Sequence, residues 1–278
     1  MVRPKGPLVR LRRALLYVVL SAIALTTLFP FALMILTSLR TGGAIITTLD
    51  QLIPREITFQ NYVDVWRDDR FDLYFRNTVL ITAAAIVGNT IFDAMVAYAL
   101  SRKAFRGRQL ILIVILISMM IPIHVQLIPI FILMNKLKLY DTLWALILPE
   151  LVQGFGIFLM KQYFDGLPRE LDEAALIDGA SDWQIFWRVL MPLARPALAV
   201  LAINTALSSW NAFILPLILT ASPETRTLSL GLALYQTQYG IDYVHSMAAA
   251  SISSLPLLAL FLVFQRHIIA GLTKGAVK

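Results

Sequence analysis

The chain has 278 residues and a mean hydropathy of +0.73, and 58% of its residues are hydrophobic. A soluble domain of this length cannot bury so large an apolar fraction, so the composition excludes an ordinary soluble protein and is typical of a membrane protein. The net charge of +7 suggests nucleic-acid binding only if the basic residues have no other explanation. The sequence contains no cysteine, which excludes disulfides, thiolate metal sites and a cysteine nucleophile.

The first apolar run follows a basic N-terminus and extends from Ala14 to Leu36. A basic start before an apolar run is also typical of a secretory signal peptide. This run has 23 residues, however, whereas the apolar core of a signal peptide has roughly 7–15. It also lacks a convincing cleavage site made of small residues. We therefore expect a retained membrane anchor.

Six segments are long and apolar enough to cross a bilayer, which requires about 20 residues each. They cover residues 14–39, 77–100, 109–133, 142–160, 197–219 and 247–267. Most contain a proline or a glycine, which is tolerated where neighbouring helices or a polar path satisfy the freed backbone groups. The sequence therefore predicts an all-α, polytopic membrane protein with six transmembrane helices, forming a single domain over residues 1–278.

The basic residues are distributed unevenly between the two ends of these segments. Sixteen of the 24 Lys and Arg residues lie in the N-terminus, the loop after the second segment, the loop 161–196 and the C-terminal tail. The side with more basic residues is normally cytoplasmic. Both termini and the loop 161–196 are therefore predicted to lie in the cytoplasm. Since topology accounts for the positive charge, a nucleic-acid-binding function is disfavoured.

The loop between the fourth and fifth segments is polar and helix-patterned, and its first half predicts a short helix. Acidic residues occupy the expected first turn, where the positive end of the helix dipole favours them. Leu171, Ala174 and Ala175 share one narrow face of that helix. Gly179 follows the last apolar residues, as a glycine that ends a helix does.

The second half of the loop predicts another short helix. Ser181 and Gln184 have the spacing of a capping box, which marks the start of a helix. Pro192 is expected to stop the helix, because the residue before a proline avoids helical geometry. The bulky apolar face that should anchor this helix against the membrane segments contains Trp183, Phe186, Trp187 and Leu190.

Polar groups at membrane depth are costly to bury and so indicate either function or helix pairing. Asp93 and Glu150 are the two acidic residues among them. For any single residue, hydrogen bonding between helices is the simpler interpretation. For the whole set, a polar translocation path for neutral solutes is the more economical one. The candidate path residues are Asn89, Asp93, His124, Gln126, Gln153, Asn204, Trp210 and Asn211.

The outer loop 221–246 combines tyrosines with glycines, a composition that suits an adaptable protein-contact loop. An ordinary connector between two membrane segments is nearly as well supported. Both interpretations stay open on composition alone.

No enzymatic motif is present in the sequence. It contains no G-x-x-x-x-G-K-[ST] phosphate-binding loop, so this chain does not hydrolyse ATP by that route. His124, His245 and His267 are too scattered for a metal cluster, and no nucleophile elbow occurs. We therefore expect no catalytic residue, no metal site and no cofactor in this chain.

The loop 161–196 resembles the E-A-A-x-x-x-G-x(9)-I-x-L-P signature of importer permeases of the ATP-binding-cassette superfamily. The matching residues are Glu173, Ala174, Ala175, Gly179, Val189, Met191 and Pro192. The motifs A-Y-A-L-S-R at 97–102, W-N-x-F-x-x-P-L at 210–217 and G-A-V-K at 275–278 are similar to those of the maltose-type carbohydrate-uptake subgroup.

This resemblance implies that the loop is a coupling helix that docks in a cleft of a cytoplasmic ATPase. It also implies a second, related permease, two ATPase subunits that carry ATP and Mg²⁺, an extracytoplasmic solute-binding protein, and a bacterial or archaeal cell (inner) membrane. The implied coupling residues are Glu173, Ala174, Ala175, Asp178, Gly179, Arg188 and Pro192. The implied contacts to the binding protein are Tyr235, Gln236, Tyr239 and Gly240.

The leading hypothesis is thus the permease subunit of an ATP-driven importer for a sugar or related polyol. A phosphorylated solute would favour basic groups deep in the path, and none occurs there. The alternative is an ion- or proton-coupled transporter of a small polar solute that works without an ATPase and needs Asp93. An integral membrane enzyme lacks a catalytic constellation and is the weakest hypothesis.

Overall fold

The computed structural model describes residues 7–42, 54, 56–67, 69–238 and 242–276. Over these residues the regular structure is helical, and the β pairing is an isolated bridge between Arg40 and Ile57. The prediction of an all-α protein is therefore confirmed. Tyr239 and Gly240 lie outside the described residues, as do the side chains of Tyr235 and Gln236.

The helices follow one another with short connections. Their bounds are α1 (Pro7–Ser38), α2 (Gln60–Arg67), α3 (Phe71–Gly88), a first π-helical segment (Asn89–Asp93), α4 (Ala94–Arg102), α5 (Arg108–Met120), α6 (Ile123–Lys136), α7 (Leu143–Glu150), α8 (Gly154–Asp165), α9 (Glu170–Ile177), α10 (Asp182–Gln184), a second π-helical segment (Ile185–Leu190), α11 (Met191–Leu193), α12 (Arg195–Trp210), α13 (Ile214–Leu219), a 3₁₀ turn (Pro223–Thr225), α14 (Leu228–Gln238) and α15 (Tyr243–Ala276).

Four helical stretches in the described part of the chain are long and apolar enough to cross a membrane. They are Val9–Ser38, Phe71–Arg102, Leu143–Asp165 and Tyr243–Gln265. Two bent helix pairs meet the same criteria together, so the number of spans rises to six if each pair is one span. The pairs are Arg108–Met120 with Ile123–Lys136, bent by 104°, and Asp182–Leu193 with Arg195–Trp210, bent by 79°.

The two predicted spans at 109–133 and 197–219 are therefore not straight helices. The first bends where Ile121 adopts an extended backbone before Pro122, as steric crowding by the proline ring requires. The second ends at Trp210, and the short helix α13 follows separately. Multi-pass membrane character is confirmed.

The chain divides into two compact units. One comprises residues from 1–71 and 234–254, and the other comprises residues from 72–233 and 255–278. In the smaller unit, the Asn61 amide donates to the Ser38 and Arg40 carbonyls at 2.7 and 2.9 Å, and Tyr62 lies 2.6 Å from the Ser38 hydroxyl. These bonds tie the end of α1 to α2.

The core of the larger unit is formed by α4, α8, α12 and the second π-helical segment. The small side chains of Ala94 and Ala97 are fully buried there, so α4 can pack closely along α8. Phe164, Phe186 and Leu190 fill the remaining space and are also buried. Within a membrane such packing is stabilised by van der Waals contact between the helices, because lipid is as apolar as these side chains.

Candidate functional site: a polar helix crossing and an interhelical loop

The span Leu143–Asp165 is broken between α7 and α8, and side chains of the first π-helical segment occupy the break. The Asn89 side-chain amide donates to the Glu150 carbonyl at 2.6 Å. The Gln153 backbone N–H donates to Asp93 Oδ1 at 3.0 Å. Backbone groups at membrane depth need a partner, and here two side chains replace the partners that the broken helix loses.

Two glycines allow the backbones to approach closely at this crossing. A Cβ atom on Gly88 would lie 2.7 Å from Leu151 Cδ2 and 2.9 Å from the Leu151 carbonyl oxygen. A Cβ atom on Gly156 would collide with Asp93 Oδ2. No larger residue fits at either position without displacing its neighbour, so glycine is required at both.

Two polar cavities open beside the break, and Glu150, Gln153 and Phe155 line both. Their volumes are about 130 and 460 Å³. Glu150 is the one charged residue among those that line either of these two cavities. The smaller cavity is further lined by Asn89, Gly156, Leu201, Asn204, Thr205, Ser208 and Ser209.

The structure brings together five of the eight predicted path residues. Asn89, Gln153 and Asn204 line the smaller cavity, and Gln126 and Gln153 line the larger one. Asp93 is fully buried directly behind them, bonded to the Gln153 backbone. These residues form one continuous polar region within the larger unit.

The other three predicted path residues lie elsewhere. His124 is exposed and does not line either cavity. Trp210 is buried against Phe75 with an edge-on geometry, at a ring-centroid distance of 5.7 Å. The Asn211 side chain donates to the Leu207 carbonyl at 2.8 Å, at the end of α12. In this structure Trp210 therefore serves packing, and Asn211 serves the termination of α12.

The sequence analysis named Asn204 but missed the other polar residues on the same face of α12, and it left Glu150 outside the path. Asn204, Thr205, Ser208 and Ser209 recur at spacings of one and four residues, which places them on one helical face. Thr205 Oγ1 donates to Asn89 Oδ1 at 3.0 Å. That recurrence was a usable signal in an otherwise apolar segment.

The first helix of the interhelical loop has the predicted ends. Three acidic residues occupy the first turn of α9. Gly179 follows the helix with φ +79°, a left-handed conformation that glycine adopts without strain. Its N–H donates to the Leu176 carbonyl at 3.0 Å, and the Ala180 N–H donates to the Ala175 carbonyl at 2.9 Å. This pair of bonds is the Schellman motif of helix C-termini.

The second helix of the loop begins as predicted but ends differently. Ser181 and Gln184 form the reciprocal bonds of a capping box. The expectation that Pro192 stops the helix is wrong, since helical geometry continues through Met191–Leu193. The Met191 N–H donates to the Phe186 carbonyl five residues earlier, so the helix is in π register just before the proline. The helix returns to α register at Pro192. Proline has no N–H to donate, and the change of register accommodates it.

Ionic contacts hold the loop to the end of α4. Arg102 Nε lies 3.1 Å from Asp172 Oδ2, and the Arg102 guanidinium donates to the Leu167 carbonyl at 3.0 Å. Lys103 forms a short ion pair with Asp182. Partial burial alone would lower the pKa of Lys103, but the hydrogen bonds to Asp182 and Tyr98 outweigh it and raise that pKa.

Apolar packing completes this attachment. Ile185, Phe186 and Leu190 are buried, and the Phe186 ring lies 5.4 Å from the Tyr98 ring. Trp183, which the sequence analysis assigned to the same anchoring face, is 58% exposed. Its ring lies 5.9 Å from the Phe186 ring and 5.6 Å from the Trp187 ring.

The outward surface of the loop contains most of the predicted coupling residues. Ala175 is half-buried and packs inward against the core of the larger unit. Ile177 is 87% exposed and Leu176 is 54% exposed, two apolar residues that the sequence analysis did not assign to this surface. The exposed coupling candidates are Glu173, Ala174, Asp178, Gly179, Arg188 and Pro192.

At the opposite side of the membrane segments, Asp141 organises residues 221–225. Its Oδ1 accepts from the Ala221 and Ser222 backbone N–H groups at 2.8 and 3.0 Å, from the Ser222 hydroxyl at 3.1 Å and from the Thr225 hydroxyl at 2.6 Å. Partial desolvation opposes ionisation, but these four bonds prevail and lower the pKa of Asp141 to about 2.

Comparison with known proteins identifies the family. Residues 94–274 match the binding-protein-dependent transport system inner membrane component family. The chain belongs to this family. Its resemblance to carbohydrate importer permeases is thereby confirmed, and the comparisons do not favour a transporter that acts without an ATPase.

Two curated relatives of the chain are named as sugar transport permeases. The chain is 38% identical to the arabinooligosaccharides transport system permease protein of Halalkalibacterium halodurans, over 92% of this chain and 93% of that protein. It is 34% identical to the trehalose/maltose transport system permease protein of Thermococcus litoralis, over 96% and 98%.

A solved structure shares the fold. A chain of a bacterial ABC transporter involved in the import of the acidic polysaccharide alginate is 29% identical to this chain, with a TM-score of 0.82. The similarity covers 95% of this chain and 99% of that one. The family assignment therefore applies to both compact units of the chain.

Proposed function

We propose that this chain is the membrane-spanning permease subunit of an ATP-driven importer for a neutral sugar or related polyol. The observation that carries the proposal is the family match, together with the polar cavities at the broken helix. Amide, hydroxyl and carboxylate groups line these cavities, and such groups bond readily to sugar hydroxyls. The relatives named for arabinooligosaccharides and for trehalose and maltose support the same class of solute.

The charge of the cavities favours a neutral solute over an acidic one. Glu150 contributes the one carboxylate, and no Lys or Arg is among the residues that line either cavity. A uronate or a sugar phosphate would enter these cavities without a compensating cation. On this basis the solute differs in charge from alginate, which is named for the structural relative.

The proposed assembly contains a second permease, two ATPase subunits that bind ATP and Mg²⁺, and an extracytoplasmic solute-binding protein. The description of the family as binding-protein-dependent supports the last of these. This chain contributes one permease domain over residues 1–278 and needs no cofactor of its own. The location that follows is the inner membrane of a bacterial or archaeal cell.

The proposed topology has six spans with both termini and the loop 161–196 in the cytoplasm. Support comes from the four helices and two bent pairs and from the excess of basic residues on one side. In this topology the exposed side of the loop, with Glu173, Ala174 and Ile177, faces the ATPase. Tyr235, Gln236, Tyr239 and Gly240 are the proposed contacts to the solute-binding protein.

The attachment of the loop suggests how motion passes between subunits. Arg102 and Lys103 tie α9 and α10 to the end of the second span, and the buried side chain of Phe186 ties the second π-helical segment to the same core. A loop held this firmly moves with its membrane helices as one body. Closure of the ATPase pair can therefore be transmitted to the polar crossing as a rigid-body motion.

Reconstitution tests the proposal directly. The chain is placed in liposomes with its partner permease, the ATPases and the binding protein, and uptake of radiolabelled oligosaccharides is measured. The panel contains arabinotriose, maltotriose and, as the acidic comparison, an alginate trisaccharide. We expect ATP-dependent uptake of a neutral member and none with ADP. Uptake that persists without the ATPase subunits contradicts the proposal, and preferential uptake of the acidic sugar contradicts the assignment of a neutral solute.

A further inference from the structure

The break between α7 and α8 is held by two side chains that act on its opposite edges. Asn89 bonds to the carbonyl of Glu150, the last residue of α7. Asp93 bonds to the N–H of Gln153, the residue just before α8 begins. The two side chains are four residues apart on the first π-helical segment, which presents both to the same broken span.

This pair of bonds, here called the break clamp, has little freedom to move. Asn89 and Asp93 are 1% and 0% exposed. Thr205 Oγ1 donates to Asn89 Oδ1, which orients the amide so that its Nδ2 faces Glu150. The backbones at Gly88 and Gly156 approach their neighbours so closely that neither position has room for a Cβ atom.

The clamp acts on the backbones of the two residues whose side chains line both cavities. Glu150 and Gln153 line the smaller and the larger cavity alike, and each has its backbone bonded to one member of the clamp. The position of the shared wall is thus determined by Asn89 and Asp93. Neither the local sequence of α7 nor that of α8 supplies these partners.

We propose that Asn89 and Asp93 are positioning residues for solute passage, which hold Glu150 and Gln153 in the cavity wall by fixing the ends of the broken helix. The proposal rests on the function proposed above, since it assumes that the cavities belong to the solute path. It requires of Asp93 a hydrogen-bond acceptor at Oδ1. The other carboxylate oxygen, Asp93 Oδ2, is buried without a hydrogen-bond partner among the described residues. The structure therefore shows no second hydrogen bond for which the negative charge of Asp93 is needed.

Thiol labelling tests the geometry independently of transport. The chain contains no cysteine, so Gln153→Cys provides a single reporter thiol at the break. A membrane-impermeant maleimide is applied to the assembled importer carrying Gln153→Cys, with and without Asp93→Leu or Asn89→Leu. Because a buried backbone group left unpaired is destabilising, we expect the labelling rate to change by about fivefold or more.

A second reporter distinguishes a local change from general unfolding. Lys136→Cys places an exposed thiol at the end of α6, at a position that lines neither cavity and bonds to neither clamp residue. Its labelling rate should stay within about twofold in the same variants, since distant sites behave independently. If both reporters change together, or if neither changes, the positioning role is overturned.

The conservative variant and transport measurements complete the test. Asp93→Asn keeps an acceptor oxygen, so we expect it to restore both the labelling rate and the ratio of solute taken up to ATP hydrolysed, which Asp93→Leu should lower by about tenfold. If Asp93→Asn behaves like Asp93→Leu, charge rather than the hydrogen bond is required and the inference fails. If the unsubstituted importer shows no solute-stimulated ATP hydrolysis, the proposed function fails instead.

Discussion

The Arg102 guanidinium lies 3.1 Å from the Asp172 carboxylate and joins the end of α4 to the first helix of the interhelical loop. Both side chains are largely buried, and Arg102 also donates to the Leu167 carbonyl. An ion pair with this degree of burial is costly to break on one side only, because the remaining charge stays without its partner. The pair thus links the loop to its own membrane helices.

Loss of this pair should uncouple ATP hydrolysis from transport. In Arg102→Met the Asp172 carboxylate loses its cation, and we expect solute-stimulated ATPase activity to fall about tenfold in the reconstituted importer. Arg106→Met, which removes an exposed arginine nearby, is the matched control and should keep normal activity. Equal activity of the two variants would show that the pair does not position the loop.

Gly179 should tolerate asparagine better than alanine. Its φ of +79° is strained for residues with a Cβ, although a Cβ there would meet no atom within 4 Å. Gly179→Ala should therefore lower the stability of the loop by about 1 kcal/mol, and Gly179→Asn by less. The effect on docking is measured as the amount of ATPase that copurifies with each variant. Gly166→Ala, at a glycine without a positive φ, is the control, and a larger effect there would contradict this explanation.

The exposed acid on α9 should matter for docking more than its neighbour. Glu173→Lys should reduce the amount of ATPase that copurifies, while membrane insertion remains normal. Glu170→Lys makes the same charge change in the same first turn of α9, also at an exposed position. If both variants lose the ATPase equally, the effect is one of net charge rather than of a docking contact at residue 173.

Asn204 and Asn211 should differ in their effect on solute preference. Asn204 lines the smaller cavity, whereas Asn211 bonds to the end of its own helix. Asn204→Leu should change relative uptake rates across the oligosaccharide panel by about fivefold or more, since a lost hydrogen bond to a solute hydroxyl is worth about 1 kcal/mol. Asn211→Leu should preserve the relative rates. Unchanged preference in both would remove Asn204 from the solute path.

Asp141 should make the loop 221–225 resistant to mild acid. Its pKa in the folded chain is about 2, below the value of about 3.9 for an unfolded chain. A depressed pKa contributes stability above the unfolded value, and that contribution is lost as the pH falls from about 4 towards 2. Protection of the Ala221 and Ser222 amides in hydrogen–deuterium exchange should therefore be constant from pH 5 to pH 8, after correction for intrinsic exchange.

Removal of the carboxylate checks the same contact at neutral pH. Asp141→Ala should increase exchange at these two amides, because both donate to its Oδ1. The Leu228 amide, which donates to Thr78 Oγ1 at 2.9 Å, serves as an internal control. Unaltered exchange at Ala221 and Ser222 would show that Asp141 does not organise the loop.

Features that depend on neighbours in the sequence were predictable. The Schellman end at Gly179 and the capping box of Ser181 and Gln184 involve residues within five positions of each other, so residue types and spacing suffice to indicate them. Pro192 was misjudged, because the π register that accommodates it depends on how Phe186 and Leu190 pack in the core. Likewise, the exposure of Trp183 depends on which rings lie beside it.

The sequence by itself determined that the chain is a helical membrane protein with a polar, capped loop, because apolar length, charge asymmetry and helix-end signals are local properties. Only the tertiary structure decided which polar residues meet. Asn89 and Asp93 lie about 60 positions from the backbone groups they satisfy at Glu150 and Gln153. A buried backbone group selects its partner by proximity, and proximity across 60 residues arises only when the helices pack.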